Sequence, residues 1–172
     1  MTNLKIGDKA PEFNGIDQDG KIHTLKDYKG RKLILYFYPK DDTTGCTAEA
    51  CNLRDNYEDL LKKGYAILGV SADNETSHKK FISKYVLPFP LLADKDKKII
   101  KLYGVWGEKN LYGKISMGIL RTSSVGTTGT LSTRIMSLVA ANWRNISLGL
   151  EMATELGSTR LSALVRMLPS DE

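Results

Sequence analysis

The sequence predicts an α/β protein with a central β-sheet flanked by helices. Three observations carry this expectation. Residues 32–38 and 66–71 are apolar runs of the kind that forms a strand covered on both faces. The segments that follow them carry apolar residues at helical spacing. Strand and helix then alternate at the spacing of right-handed βαβ crossovers. A chain of 172 residues suits one domain, taken here as residues 1–172.

The elements can be justified in order. Residues 10–25 read as an N-terminal β-hairpin, with a polar turn at Asp17 to Gly20 between two short, partly alternating runs. The run at 32–38 ends at Pro39. Residues 44–63 form a helix whose inward stripe is Cys46, Ala50, Leu53, Tyr57, Leu60 and Leu61, with Gly64 placed to end it. The next buried strand is 66–71. Asp73 or Asn74 caps a helix carrying Phe81, Ile82 and Tyr85 inward, and Pro88 and Pro90 stop it. A short strand at 91–93 and a short helix at 96–103, closed by Gly104, complete this part.

Beyond Thr122 the texture changes. No lysine follows Lys114, and 14 of the last 50 residues are Ser or Thr. Residues 125–131 suit a hairpin turn, while 121–126 give at best a broken strand of weak propensity. Residues 142–156 and 159–168 read as two helices.

Composition narrows the function. The chain is 41% hydrophobic and 26% charged, as globular proteins are. The net charge of +5 comes with 18 lysines interleaved with acids, without a basic stripe or aromatic platform, which argues against nucleic acid. No apolar run follows the opening residues or reaches the length of a membrane span, so the expected location is the cytoplasm. There, two cysteines are more readily reactive or simply buried than structural staples. His23 and His78 lack metal-site spacing relative to the cysteines, so no metal or cofactor is expected and both histidines are assigned to the surface. Trp106 and Tyr112 are expected to pack near the site. Gly107, Gly113 and Lys114 miss the phosphate-loop spacing and lack the Ser or Thr that follows its lysine.

Both cysteines lie in PKDDTTGCTAEAC, residues 39–51. Cys46 falls in the first helical turn, where unpaired N–H groups and the macrodipole favour a thiolate. Cys51 lies about 140° further round, on the polar face with Arg54, Asp55 and Glu58. Five residues along an ideal helix separate Cα atoms by roughly 8.6 Å, whereas a disulfide needs less than about 7 Å. A bond between the two therefore requires the start of the helix to unwind. The chemistry that suits such a pair is a redox cycle: a Cys46 thiolate attacks a peroxide and becomes a sulfenic acid, with which Cys51 condenses. The bland alternative is that both are small buried hydrophobes.

Pro39-x-x-x-Thr43-x-x-Cys46 matches the active-site motif of the peroxiredoxins, and YPKDDTTGCTAEACNLRD at 38–55 resembles their bacterioferritin-comigratory, or Q-type, subfamily. So do GDKAPEF at 7–13, PFPLLAD at 88–94, YGVWGEK at 103–109, YGKxxMG at 112–118, and Arg121 with Thr122. The resemblance covers about residues 1–122. It implies a thioredoxin-like fold with a mixed sheet, and a monomeric thiol peroxidase acting on hydrogen peroxide and organic hydroperoxides with thioredoxin as reductant. By position, it makes Cys46 the peroxidatic and Cys51 the resolving cysteine. Thr43 would hydrogen-bond peroxide and thiolate, Pro39 would shield the pocket from water, and Arg121 would hold the thiolate and polarise the O–O bond.

The chain departs from the subfamily at Thr44, where a second proline is common, and from Ser123 onward. That second departure predicts a poorly anchored strand around Arg121. Two other functions stay open at this point: thiol–disulfide exchange on protein substrates, and a catalytically silent thioredoxin-like binding or holdase protein.

Overall fold

The computed structural model describes residues 4–5, 7–111, 114–127 and 130–135. The expected hairpin is present: β1 (Asn14–Ile16) pairs antiparallel with β2 (Ile22–Thr24). Its turn is held by the Asp17 carboxylate, which accepts from the N–H groups of Asp19 and Lys21 at 2.8 and 2.9 Å. Gly20 takes a φ of 83° there, a conformation that costs a residue without Cβ nothing.

Next come β3 (Lys32–Phe37), α1 (Thr44–Asp55), α2 (Tyr57–Lys62), β4 (Tyr65–Ser71), α3 (Glu75–Tyr85), β5 (Leu91–Ala93) and α4 (Lys98–Leu102). The helix expected over 44–63 is thus two, divided at Asn56, whose side chain turns back to the Asn52 carbonyl at 2.9 Å. Asn74 caps α3 through Ser77 N–H at 2.9 Å. That helix ends before the prolines, with Val86 in the left-handed region at φ 53°. α4 starts later than expected, after its N-cap Lys97 at φ 58°, and the Asp94 carboxylate accepts from Lys98 and Ile100 N–H at 2.8 Å each.

The chain continues through a hairpin not anticipated from the sequence, β6 (Trp106–Leu111) with β7 (Lys114–Ile119), and then β8 (Thr122–Thr127) and β9 (Thr130–Ile135). The main sheet has the order β5-β4-β3-β8-β9. β3 runs parallel to β4 and antiparallel to β8, so the sheet is mixed and β3 is its centre.

The alternation of side chains along β3 builds two cores, because successive residues of a strand point to opposite faces. Ile34, Tyr36 and Tyr38 pack with Cys46, Ala50, Leu53, Leu60 and Phe81 of the α1–α3 side. Leu33, Leu35 and Phe37 pack with Phe13, Ile99, Ile100, Tyr103 and Val105 on the other. Phe37, Leu68, Leu91 and Leu92 are completely buried, each worth about 1.5–3 kcal/mol relative to exposure.

Three expectations need correction. The segment after Arg121 is not a broken strand: β8 pairs with β3 at six positions and with β9 on its other side. Backbone pairing to two neighbours outweighs the weak strand propensity of its Ser and Gly residues. Nor are the histidines on the surface. His23 is bonded to Asp17 and Tyr28 at 2.8 Å each, and His78 to Asp41 at 2.8 Å, both side chains being buried. Trp106 packs on the second core, the one without Cys46, with Lys97 Nζ 5.3 Å from its ring centroid. The expected helices over 142–156 and 159–168, and Tyr112, lie outside the described residues.

Candidate active site

Sheet topology assembles the site. β3 delivers Pro39 just beyond its C-terminal end, and antiparallel pairing of Phe37 with Thr122 sets the start of β8 at that same end. Arg121, the residue before β8, therefore arrives over the first turn of α1.

Thr43 is the N-cap of α1 in an extended conformation, and the first intrahelical bond runs from Thr47 N–H to the Thr43 carbonyl at 2.8 Å. The N–H groups of Thr44, Gly45 and Cys46 precede that ladder, at the positive end of the helix. Cys46 is the third helical residue and 1% exposed; Cys51, further along the unbroken helix, is partly exposed. Both are free thiols.

Arg121 Nη2 lies 3.3 Å from Cys46 Sγ, and Nη1 donates to Glu49 Oε2 at 3.0 Å. Glu49 is completely buried, one turn after Cys46 on the same inward stripe. A carboxylate there is tenable because a cation meets it, and the pair fixes the guanidinium plane beside the sulfur. Gly45 makes room: a Cβ at that position would stand 3.0 Å from Arg121 Nη2. Lys109 of β6 adds a second cation in the neighbourhood. Burial and then the Arg121 charge press it below the ordinary lysine value, while Cys46 pulls the other way.

Tyr36 and Tyr38 stack at 5.2 Å beneath this turn. Burial pushes both phenols well above their usual range, with Glu49 adding to the effect on Tyr36, so both stay neutral.

Of the residues singled out in the sequence, Cys46 and Arg121 are brought into contact. Thr43 is exposed, and its hydroxyl donates to the Lys40 carbonyl at 3.2 Å. Pro39 is half-buried. Glu49 was not singled out. The signal was present in the sequence: an acid one turn from Cys46 on a helix face otherwise filled by Cys46, Ala50 and Leu53 must be answered by a partner.

The AhpC/TSA family model matches residues 6–131. Peroxiredoxin Bcp of Escherichia coli K12 is 46% identical over 123 residues, which cover 72% of this chain and 79% of that protein. The chain belongs to the AhpC/TSA family, as a Bcp-type peroxiredoxin. Solved peroxiredoxin structures resemble it closely. A mutant of Xylella fastidiosa PrxQ superposes with a TM-score of 0.77 at 28% identity, over 90% of this chain and 99% of that one. The Xanthomonas campestris bacterioferritin comigratory protein, whose structure was determined to explain its alkyl peroxide reduction activity, gives 0.72 at 30% identity over 83% and 90%. The fold is accordingly thioredoxin-like, and this peroxiredoxin is a thiol-dependent peroxidase that uses peroxide substrates and a thiol reductant.

Proposed function

We propose that Cys46 is the peroxidatic cysteine and Cys51 the resolving one, in a cycle closed by thioredoxin or a similar dithiol. The observation that carries this is the Arg121 guanidinium 3.3 Å from Cys46 Sγ. It sets a fixed cation beside a sulfur that must carry negative charge to react, and beside the oxygen that acquires charge as the O–O bond breaks. The Cys46 thiolate attacks the terminal oxygen of ROOH. An S–O bond forms, the O–O bond breaks, and the leaving RO⁻ takes up a proton to give ROH and the sulfenic acid. The Cys51 thiolate then attacks the Cys46 sulfur, and hydroxide leaves as water after protonation, giving the disulfide. A dithiol reduces it by two exchange steps.

Thr43 is proposed to use its hydroxyl oxygen to receive the peroxide hydrogen, and Pro39 to keep water from the sulfur. Hydrogen peroxide and organic hydroperoxides are the proposed substrates, the latter supported by the activity described for the X. campestris protein. A monomer in the cytoplasm is the proposed working form. Among the described residues no helix is long and apolar enough to cross a membrane.

The test is peroxide-dependent oxidation of a reduced thioredoxin system. Turnover that disappears in Cys46→Ser supports the cycle; dithiol exchange that needs no peroxide would replace it.

A further inference from the structure

The turn between β3 and α1 is gripped from two directions by one helix. Asp41 points inward and is 7% exposed. Its Oδ1 accepts from the Tyr38 hydroxyl at 2.7 Å, and its Oδ2 from the Ser77 hydroxyl at 2.7 Å and His78 Nδ1 at 2.8 Å. Its own N–H donates to Asp73 Oδ2 at 2.8 Å, and that oxygen also receives the Ser71 hydroxyl at 2.9 Å. His78, wholly buried, is held at its other end with Nε2 3.2 Å from the Leu92 carbonyl oxygen.

The next residue, Asp42, points outward. It sits at φ 54°, a strained region for a residue with Cβ, and its carboxylate receives Lys84 Nζ at 2.7 and 2.9 Å and the Tyr85 hydroxyl at 2.6 Å. Ser77 and His78 belong to the first turn of α3 and Lys84 and Tyr85 to its last, seven residues or about 10 Å away. The turn is thus laid along α3 and fastened at both ends of it. Thr43 follows directly, and its hydroxyl is oriented by the carbonyl of Lys40, which lies on the other side of the two aspartates.

We propose that Asp41 is a positioning residue for peroxide reduction: held by Ser77 and His78 of α3, it fixes the turn that aims the Thr43 hydroxyl and the first N–H groups of α1 at the substrate. This rests on the reading of Cys46 as peroxidatic. Asp41 touches neither the sulfur nor the peroxide. A buried Asp–His pair often serves stability alone, and the two roles separate in the chemistry of Cys46. Peroxide reduction needs an aligned hydroxyl and helix terminus around the oxygen atoms. Alkylation by iodoacetamide needs only the sulfur nucleophile.

The experiment uses the full chain with Cys51→Ser, so that Cys46 is the single thiol. Oxidation by hydrogen peroxide is followed by stopped flow and dimedone trapping, and alkylation by iodoacetamide is measured in parallel. Asp41→Asn is expected to slow oxidation about tenfold or more while alkylation stays within about twofold. His78→Asn, whose amide nitrogen can replace Nδ1 as donor, is expected to keep most of the parent's oxidation rate. Should Asp41→Asn fail to fold, Ser77→Ala carries the same comparison with an expected loss of about threefold. An oxidation rate within twofold of the parent, or an equal fall in both reactions, overturns the proposal. Failure of the underlying reading looks different: the parent would form no dimedone adduct, or Cys46→Ser would still consume peroxide.

Discussion

Arg121 and Cys46 stand 75 positions apart in the chain, yet Nη2 of one is 3.3 Å from Sγ of the other. The contact depends on Glu49, which holds the opposite edge of the guanidinium at 3.0 Å. If this geometry sets the rate, Arg121→Lys should lower kcat/KM for hydrogen peroxide by about a hundredfold, because an ammonium cannot serve sulfur and carboxylate from one plane. Glu49→Gln should cost about tenfold by loosening the same plane. Stopped-flow oxidation of the reduced variants measures both, and unchanged rates would remove the arginine from the mechanism.

Gly45→Ala offers a milder probe of that contact. The new Cβ meets Nη2 at 3.0 Å, and the guanidinium, held by Glu49, must shift away from the sulfur. Peroxidase activity should fall about tenfold while the helix gains up to about 1 kcal/mol in propensity. A thermal melt beside the kinetic assay reads both; a variant that is both fully active and more stable would contradict the expectation.

The proposed cycle assigns the two thiols different steps. Cys51→Ser should keep the first oxidation at the parent rate and then stall with one dimedone-reactive group per chain. Full turnover with thioredoxin in this variant would exclude Cys51 as the resolving residue.

Oxidation should also change the local fold. Both cysteines lie in the unbroken α1, where five residues hold Cα atoms roughly 8.6 Å apart against the limit of about 7 Å for a disulfide. The oxidised form should lose helical circular dichroism and expose residues 43–52 to hydrogen exchange, and it must give up the Glu49–Arg121 pair. Identical exchange maps for the two redox forms would refute this.

Acid stability has a specific contributor in Asp17. Burial raises its pKa, but the His23 hydrogen bond and the N–H groups of Asp19 and Lys21 outweigh that and leave it below the ordinary 3.8. A carboxyl depressed in the folded state stabilises fully above its unfolded value and loses that contribution as pH falls through the folded one. Asp17→Asn should therefore cost about 1–3 kcal/mol near neutral pH, with the gap to the parent narrowing below pH 3.8. Urea titrations across that range would show it, and a constant gap would speak against it.

Much of this was legible in the chain itself. The apolar runs mark β3 and β4, the helical stripe marks α1, and PKDDTTGCTAEAC places Cys46 at a helix start. These are local properties, set by side-chain period and by turn residues within a few positions of one another. The expectations that failed concern partners that only the pairing of elements brings together. His23 and His78 were assigned to the surface because nothing nearby marks them as buried. Asp17 receives His23 across the β1–β2 hairpin, six positions away, and Asp41 receives His78 only once α3 is in place. Residues 122–127 lack the composition of a strand, and become one because β3 and β9 offer backbone groups on both sides. By itself, then, the sequence determined the strand, the turn, the two thiols and the family's chemistry. The family resemblance implied that Arg121 would reach Cys46; tertiary structure alone decided that Glu49 would hold it there and that α3 would fasten the turn. Those contacts join charges and hydrogen-bonding groups across 36 to 75 positions, and at the buried ones, such as Asp41 with His78, leaving a partner unmet is costly.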